Sequence, residues 1–405
     1  MAITNPIQSN DLRLTSPASH VSSASSASSA SSASSAPSCK FYLDGKWRCG
    51  YNSVQETKSH VAELDSGRAN AMKESSDQSP VDTECPLIPV GTGSTDRRPD
   101  KNKLRIVQYN VEWLFIDYYV NAQCPGTGCT WKNDIDANTH LNYVTNVIKE
   151  LNPDIINLCE VEGCDELQML VKNLDNYLPY LKRGNDTSTG QNVGMLTKID
   201  PSVNLYRTEE RYTYPIQGSR CGYVGNPGTS GISKHYITEF MINNINIVMI
   251  AVHLLAYPTD PTRCAEREAQ AIVIQNVIYD YYQKDYEIIV LGDFNDFDAE
   301  VIDANNNKPI SYVLDIVKGN YGVNSGKYKL YSIAETIVQK ERFSDWYDKN
   351  NDCVSTDTEF SMIDHILVTD MLRDKIVSSF IYHEYPEFCG TYNSDHYPVV
   401  IDLLF

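Results

Sequence analysis

The chain has 405 residues, with 34 Lys and Arg against 53 Asp and Glu and a formal net charge of −19. No apolar run reaches the roughly 20 residues a helix needs to cross a bilayer, and the longest, Ile247 to Ala256, is broken by His253. The acidity argues against tight nucleic-acid binding, which rests on Lys and Arg displacing counterions, but not against an enzyme that holds a polyanion briefly through metal ions. Eleven cysteines are too few for a disulfide scaffold, yet more than a reducing compartment usually tolerates on loops.

Residues 1 to 102 form one compositional block. Ser22 to Ala36 repeats Ser-Ser-Ala five times, and Asn70 to Lys103 is polar with Pro80, Pro86, Pro89 and Pro99 scattered through it. Such a stretch buries too little apolar area to offset its ordering entropy, so a disordered Ser/Ala-rich tail is expected. The exception is Phe41 to Trp47, between Cys39 and Cys49, which reads either as a small hairpin or as a docking peptide. The N-terminus lacks the basic and continuous apolar regions of a signal peptide.

From Lys103 to the end, residues 103–405, the pattern alternates strands with helices. Leu104 to Tyr109 reads as a strand, and Asn138 to Leu151 as a helix with Leu141, Val144, Val147, Ile148 and Leu151 inward. Pro153-Asp154 breaks that helix before a buried strand, Ile155 to Cys159. Leu167, Leu170, Val171 and Leu174 mark a second helix, and Val193 to Thr197 a strand. Ile245 to His253 is a long strand, Glu266 to Tyr282 a helix, and Glu287 to Leu291 a buried strand. Ile363 to Thr369 and Val399 to Leu404 follow. This alternation gives an α/β layered domain. No internal duplication is visible by eye.

Polar residues gather where these strands end. Asn110 follows the first strand, which alone is no more than a strand end with an Asn. Glu160 follows four near-continuous apolar residues; a carboxylate there is costly unless paired or bound to a cation. His253 closes an apolar strand, where most histidines are satisfied core residues. In Gly292-Asp293-Phe294-Asn295-Asp296 a buried strand runs into a glycine and presents an acid and an amide on one side. Asp364-His365 and Asp395-His396 suggest a carboxylate orienting an imidazole. The oxygen-rich set favours Mg²⁺, with Mn²⁺ the alternative, over Zn²⁺. A hard cation with few carboxylates is the usual arrangement for phosphoryl transfer, and no P-loop or Gly-x-Ser-x-Gly elbow offers a rival chemistry.

In order, Tyr109-Asn110-Val111-Glu112, Cys159-Glu160-Val161-Glu162, Gly292 to Asp296, Ile363-Asp364-His365-Ile366 and Ser394-Asp395-His396-Tyr397-Pro398 resemble the endonuclease/exonuclease/phosphatase superfamily, especially its deoxyribonuclease I-like members. The resemblance spans residues 103–405 and implies a four-layered α/β sandwich, two packed mixed sheets between helices, with the site at one end. It implies Glu160 as principal metal ligand, with Asn110 and Asp395 beside the metal. His253 would contact the scissile phosphate and protonate the leaving oxygen, and Asp293, oriented by Asn295, would position or deprotonate the attacking water. Asp364 would pair with His396. Residues 186–197 resemble the stretch before a central strand in bacterial secreted nucleases, which makes Asn192 a substrate-binding candidate. Three departures stand out. Cys159 replaces the Gln common before the metal-binding Glu, and His365 replaces an Arg of the phosphate clamp. Met362 to His365 replaces the Trp-Cys-Asp-Arg signature of inositol-polyphosphate phosphatases.

The expectation is a metal-dependent phosphodiesterase, an endonuclease cutting DNA or RNA by in-line attack of water, monomeric and binding nucleic acid only transiently. The alternative is a phospholipid or inositol-phosphate hydrolase with the same centre; a catalytically silent binding protein is disfavoured because the key positions carry competent residues. Membrane insertion is not expected. The polar inserts Pro201 to His235 and Asp298 to Lys329 carry Arg207, Arg211, Arg220, Lys234 and Lys318 among their charges, enough to touch phosphates. The cysteines and the sequon Asn185-Asp186-Thr187 favour an extracytosolic location with two or three disulfides, Cys221 and Cys264 among the loop cysteines and Cys124 and Cys129 across a turn; free buried thiols are the alternative reading.

Overall fold

In a computed structural model, described for residues 38–41, 47–50, 85, 95–116, 131, 133–385 and 393–405, the parity of each strand decides the layering. Seventeen strands and five α-helices are described. The first two strands, β1 (Ser38–Phe41) and β2 (Trp47–Gly50), form an antiparallel hairpin with Cys39 opposite Cys49. The other tail readings and the Cys124–Cys129 turn lie outside the described residues.

The first main sheet contains β3 (Lys103–Leu114), β4 (Ile155–Val161), β5 (Leu178–Leu181) and β6 (Asn192–Thr197). A short pair, β7 (Tyr212–Tyr214) and β8 (Gly228–Ser230), precedes the second main sheet. That sheet contains β9 (Lys234–Ile242), β10 (Ile245–His253), β11 (Glu287–Asp293) and β12 (Tyr331–Ser332). A second short pair is β13 (Asp345–Trp346) with β14 (Phe360–Ser361). Finally β15 (Asp364–Val368) joins the second sheet, and β16 (Ile376–Ile381) and β17 (Val399–Leu404) join the first. The orders are β16-β17-β3-β4-β6-β5 and β12-β15-β11-β10-β9.

Ile106 of β3, Met195 of β6, Met249 of β10, Leu291 of β11 and Ile366 of β15 meet in a core between the two sheets. Their neighbours of opposite parity face helices. Val107 and Leu158 pack against Val144, Ile148 and Leu167 of helices α1 (Asp134–Leu151) and α2 (Cys164–Val171). Ile250 and Val290 pack against Ile272, Ile278 and Ile316 of α3 (Pro261–Tyr282) and α4 (Val313–Val317). The result is the expected four layers, with a short α5 (Asp370–Arg373) before β16.

Each sheet holds one parallel pair joined by a helix: β3 to β4 through α1, and β10 to β11 through α3. Both helices start earlier than apolar spacing suggests, because polar caps set the start. Asn133 Oδ1 accepts from Asp136 N–H, and Asp260 Oδ1 accepts from Arg263 N–H ahead of Pro261. Cys264, expected on a loop, therefore lies in the first turns of α3, where it is bonded to Cys221. A second disulfide ties Cys85 to Cys164 at the start of α2. The folded unit also begins before residue 103. Asp96 bridges to Ile199 in the backbone, and Arg97 pairs with Asp200 at 2.5 Å. No helix among the described residues is long and apolar enough to cross a membrane.

Candidate active site

Both parallel pairs end in chemistry at the same end of the sandwich. Asn110 lies on β3, Glu160 on β4, His253 closes β10 and Asp293 closes β11. Asp364 opens β15 opposite Asp293 in antiparallel register, and Asp395 and His396 stand just before β17. The β3 and β4 ladders are irregular here, with Glu112, Trp113 and Glu160 at φ of 46°, 51° and 67°. Cys159 faces the inter-sheet core but Val161 the helical layer, so the bulge at Glu160 breaks the parity and re-aims its carboxylate. Non-glycine residues in this left-handed region carry strain of the kind that gathers at functional sites.

Asn110 binds the two halves together. Its Nδ2 donates to Asp293 Oδ2 at 3.0 Å and to Glu160 Oε1 at 3.3 Å, while its Oδ1 accepts from Glu112 N–H at 3.1 Å. Glu160 Oε2 accepts from Trp113 N–H at 3.1 Å. Asp293 Oδ1 accepts from Asn295 N–H at 2.8 Å, and Asn295 Nδ2 donates to Leu254 O at 3.2 Å, so Asn295 does hold Asp293 and the following loop. Asp364 Oδ2 lies 2.7 Å from His396 Nδ1, so the carboxylate is paired across the two Asp-His steps and not with the His365 beside it. Ser344 Oγ and Gln108 Nε2 donate to the same carboxylate at 2.9 and 3.0 Å. Asp395 is more open, a third exposed, with Oδ1 4.0 Å from His396 Nε2.

Charge in this space is unbalanced. Burial, with the neighbouring Asp395, raises the Glu160 carboxyl against the pull of Lys234. Burial and the facing Asp364 push Asp293 well above the carboxylate range, opposed by His396. Burial alone would lower His396, but the Asp364 carboxylate outweighs it and holds the imidazolium well above its ordinary range. His253 goes the other way: burial, then Lys234 and His396, keep it neutral. Its Nε2 lies 3.5 Å from Asp293 Oδ2 and 3.4 Å from Lys234 Nζ.

Several residues have places that sequence reasoning did not assign. Lys234, in sequence one charge of the insert Pro201 to His235, reaches His253 with its Nζ and donates to Gln191 Oε1 at 3.0 Å. By contrast Lys318 is buried in ion pairs with Asp298 and Glu300 and is not free to meet a phosphate, while Arg220, about a third exposed, donates through Nε to Ser311 O. Asp345 was missed outright; its Oδ1 is 3.7 Å from His396 Nε2, and burial pushes its carboxyl up to about 7 despite His396. Asn192 is not joined to the cluster. Its Nδ2 donates to Glu162 O and Gly190 O and its Oδ1 accepts from Gly184 N–H, so its amide organises the adjoining loop. His365 is buried on the far side of β15 against Phe294, with Nε2 3.0 Å from Asp296 O, so it does not stand in for a phosphate-clamping Arg. Arg267 is wholly buried. Its Nε donates to Asp296 Oδ2 at 3.1 Å and its Nη atoms to the carbonyls of Leu255, Ala256, Tyr257 and Pro258, pinning the loops after His253 and Asn295.

The donor set fits a hard divalent cation. Glu160 and Asp293 share one amide, Asp395 lies nearby, and the raised carboxyls mark negative charge that the local cations do not balance. Cys159, the free cysteine among the described residues, is turned toward Val252 O and Gln108, with its thiol pushed up to about 12 by burial, and offers no soft ligand.

Fold and site together define a layered α/β protein with an acid, amide and imidazole centre built by two strand-helix-strand units. The family model described as Endonuclease/Exonuclease/phosphatase family matches residues 107–396, and the chain belongs to that family. Its members are generally phosphoesterase hydrolases and commonly use divalent metals. Among solved structures, the chain is similar to D. rerio TDP2 humanized by 14 mutations (15% identity, 75% of this chain and 100% of that one, TM-score 0.44). It is similar also to truncated Caenorhabditis elegans TDP2 (15%, 75% and 98%, 0.44). An endonuclease/exonuclease/phosphatase family protein from Bacteroides thetaiotaomicron is a further neighbour (16%, 75% and 95%, 0.43). No match was found among curated proteins.

Proposed function

We propose that this protein is a divalent-metal-dependent phosphodiesterase that hydrolyses DNA or RNA. The observation that carries the reading is the bridge made by Asn110 between Glu160 and Asp293, with the Asp364–His396 pair closing the same space. Glu160, Asn110 and Asp395 would hold Mg²⁺ or Mn²⁺, which when bound draws charge from the scissile phosphate. Asp293, destabilised as an anion and held by Asn110 and Asn295, takes a proton from the attacking water. The water oxygen bonds to phosphorus as the ester P–O bond opposite it breaks. The His396 imidazolium, kept charged by Asp364, hydrogen-bonds a phosphate oxygen. Neutral His253 accepts a hydrogen bond from Lys234, so the leaving oxygen takes its proton from the Lys234 ammonium on that side, and the proton held by Asp293 returns to solvent as Lys234 is reprotonated.

A polymer substrate fits the charge balance: the protein is acidic overall, so contact is brief and salt-sensitive. The test is a panel of plasmid DNA, single-stranded DNA, RNA, sphingomyelin and phosphoinositide, each with Mg²⁺ and with chelator. Nucleic acid is cut only with the metal. Intact plasmid and RNA alongside turnover of either lipid would overturn the assignment.

A further inference from the structure

Asp345 faces the proposed reaction centre without a part in it. A backbone bridge pairs it with His396, and Trp346 N–H donates to Asp395 O at 3.0 Å, so the residue is fixed beside the imidazole. Ser361 Oγ donates to its Oδ2 at 2.9 Å, which leaves Oδ1 directed at His396 Nε2, 3.7 Å away. That separation is too long for a hydrogen bond. The ring is already anchored through Nδ1 by Asp364, so holding His396 does not require Asp345. Because Nδ1 is taken, Nε2 is the nitrogen that a phosphate oxygen would meet. The Asp345 side chain is only 15% exposed, and its charge is therefore weakly screened.

We propose that Asp345 is a specificity residue that admits the singly charged phosphate of a diester and disfavours the doubly charged phosphate of a monoester. The inference rests on the phosphodiesterase reading and says which phosphate class the site takes. A phosphate oxygen hydrogen-bonded to Nε2 lies at most about 6.5 Å from Asp345 Oδ1, given a donor–acceptor distance of about 2.8 Å added to the 3.7 Å between Nε2 and Oδ1. A monoester carries its second charge above a pKa near 6. At that distance in a partly buried site, the extra repulsion is enough for roughly tenfold discrimination or more. The same term drives out the terminal monoester that cleavage creates, so selection and product release share one carboxylate.

The test uses the full chain with Mg²⁺ at pH 8, comparing bis(p-nitrophenyl) phosphate with p-nitrophenyl phosphate. Asp345→Asn keeps the shape and removes the charge. It should raise the monoester-to-diester ratio of kcat/KM about tenfold and tighten inhibition by inorganic phosphate. Asp345→Glu should return the ratio toward wild type, and Asp345→Ser, whose small side chain packs differently, should reproduce the Asn result. An unchanged ratio in the folded Asn and Ser variants, or equal losses on both substrates, overturns the specificity role while leaving the phosphodiesterase reading intact. Wild-type protein inactive on the diester and on nucleic acid overturns that reading instead.

Discussion

A Cβ added to Gly292 would lie 1.9 Å from the carbonyl oxygen of Val252, its partner across β10 and β11, and Gly292 itself sits at φ 149°. The glycine is thus required by a close approach within the strand, not by a turn after it. One residue on, that approach sets His253 beside Asp293. Gly292→Ala should lower stability by about 3 kcal/mol or more, since neither the backbone angle nor the space suits a side chain. Urea unfolding measures this, and a loss near zero would show that the strands part freely.

Glu160→Gln keeps shape and removes a charge, so the melting temperature should hold while Mg²⁺-dependent turnover falls by orders of magnitude. Asp293→Asn and His396→Ala should each be comparably severe. Combined, they should fall far short of multiplicative, because both act through Asn110 and one shared charge balance. Near-wild-type rates for Glu160→Gln would refute the ligand assignment.

His235 gives the protein an acid-labile point away from the reaction. Burial, then the adjacent Arg207, lowers its pKa to about 3, and its Nε2 accepts from Thr208 N–H at 3.0 Å. The unfolded chain takes up the proton near pH 6.5, whereas the folded one does not until about pH 3. Its stabilising contribution is therefore complete above pH 6.5 and declines as pH falls toward 3. His235→Gln, which keeps an acceptor near the same place, should flatten that part of the stability–pH curve. A curve parallel to wild type would contradict the assignment.

Arg267→Met leaves Asp296 buried without its cation and frees four carbonyls of the loop after His253. The expected loss is about 3–5 kcal/mol, read by thermal unfolding. A double variant that also replaces Asp296 by Asn should recover part of it; no recovery would mean that the loop carbonyls, not the ion pair, dominate.

The cysteines bear on compartment. Cys85, Cys164, Cys221, Cys264 and Cys353 are all disulfide-bonded, while Cys159 is buried and free. We propose an extracytosolic protein on that basis, with Asn185 of the sequon exposed. Alkylation of denatured, unreduced protein should label Cys159 and spare those five in mass spectra. Eleven modified thiols would end the idea.

Apolar periodicity made the central strands and the two crossover helices legible, because parity and helical spacing are local properties. Ile245 to His253 and Val399 to Leu404 coincide with their strands. The strand Lys234–Ile242 escaped notice because it begins in a polar insert. Its signal was Asn243-Asn244, both in the left-handed conformation of a tight hairpin turn. Counting back from that turn puts Lys234 opposite His253, which would have added the ammonium to the site. The strand Ile376–Ile381 hid for another reason: at the edge of its sheet it needs little apolar pattern. Asp345 offered no local signal, since only the long-range bridge to His396 gives it a role. The doubled strand-helix-strand unit was invisible because geometry repeats where residues do not.

Asn110 and His396 stand 286 residues apart in the chain, and β17, which pairs with β3, follows His396 directly. During synthesis from the N-terminus, β3 therefore waits for almost the whole domain before its neighbour arrives. Until then Asn110 has no imidazole beside it and the core between the sheets lacks Val399 and Ile401. An unfinished chain also lacks the Asp364–His396 pair. The site is assembled in one step, once the closing strand has cleared the exit tunnel and paired with β3.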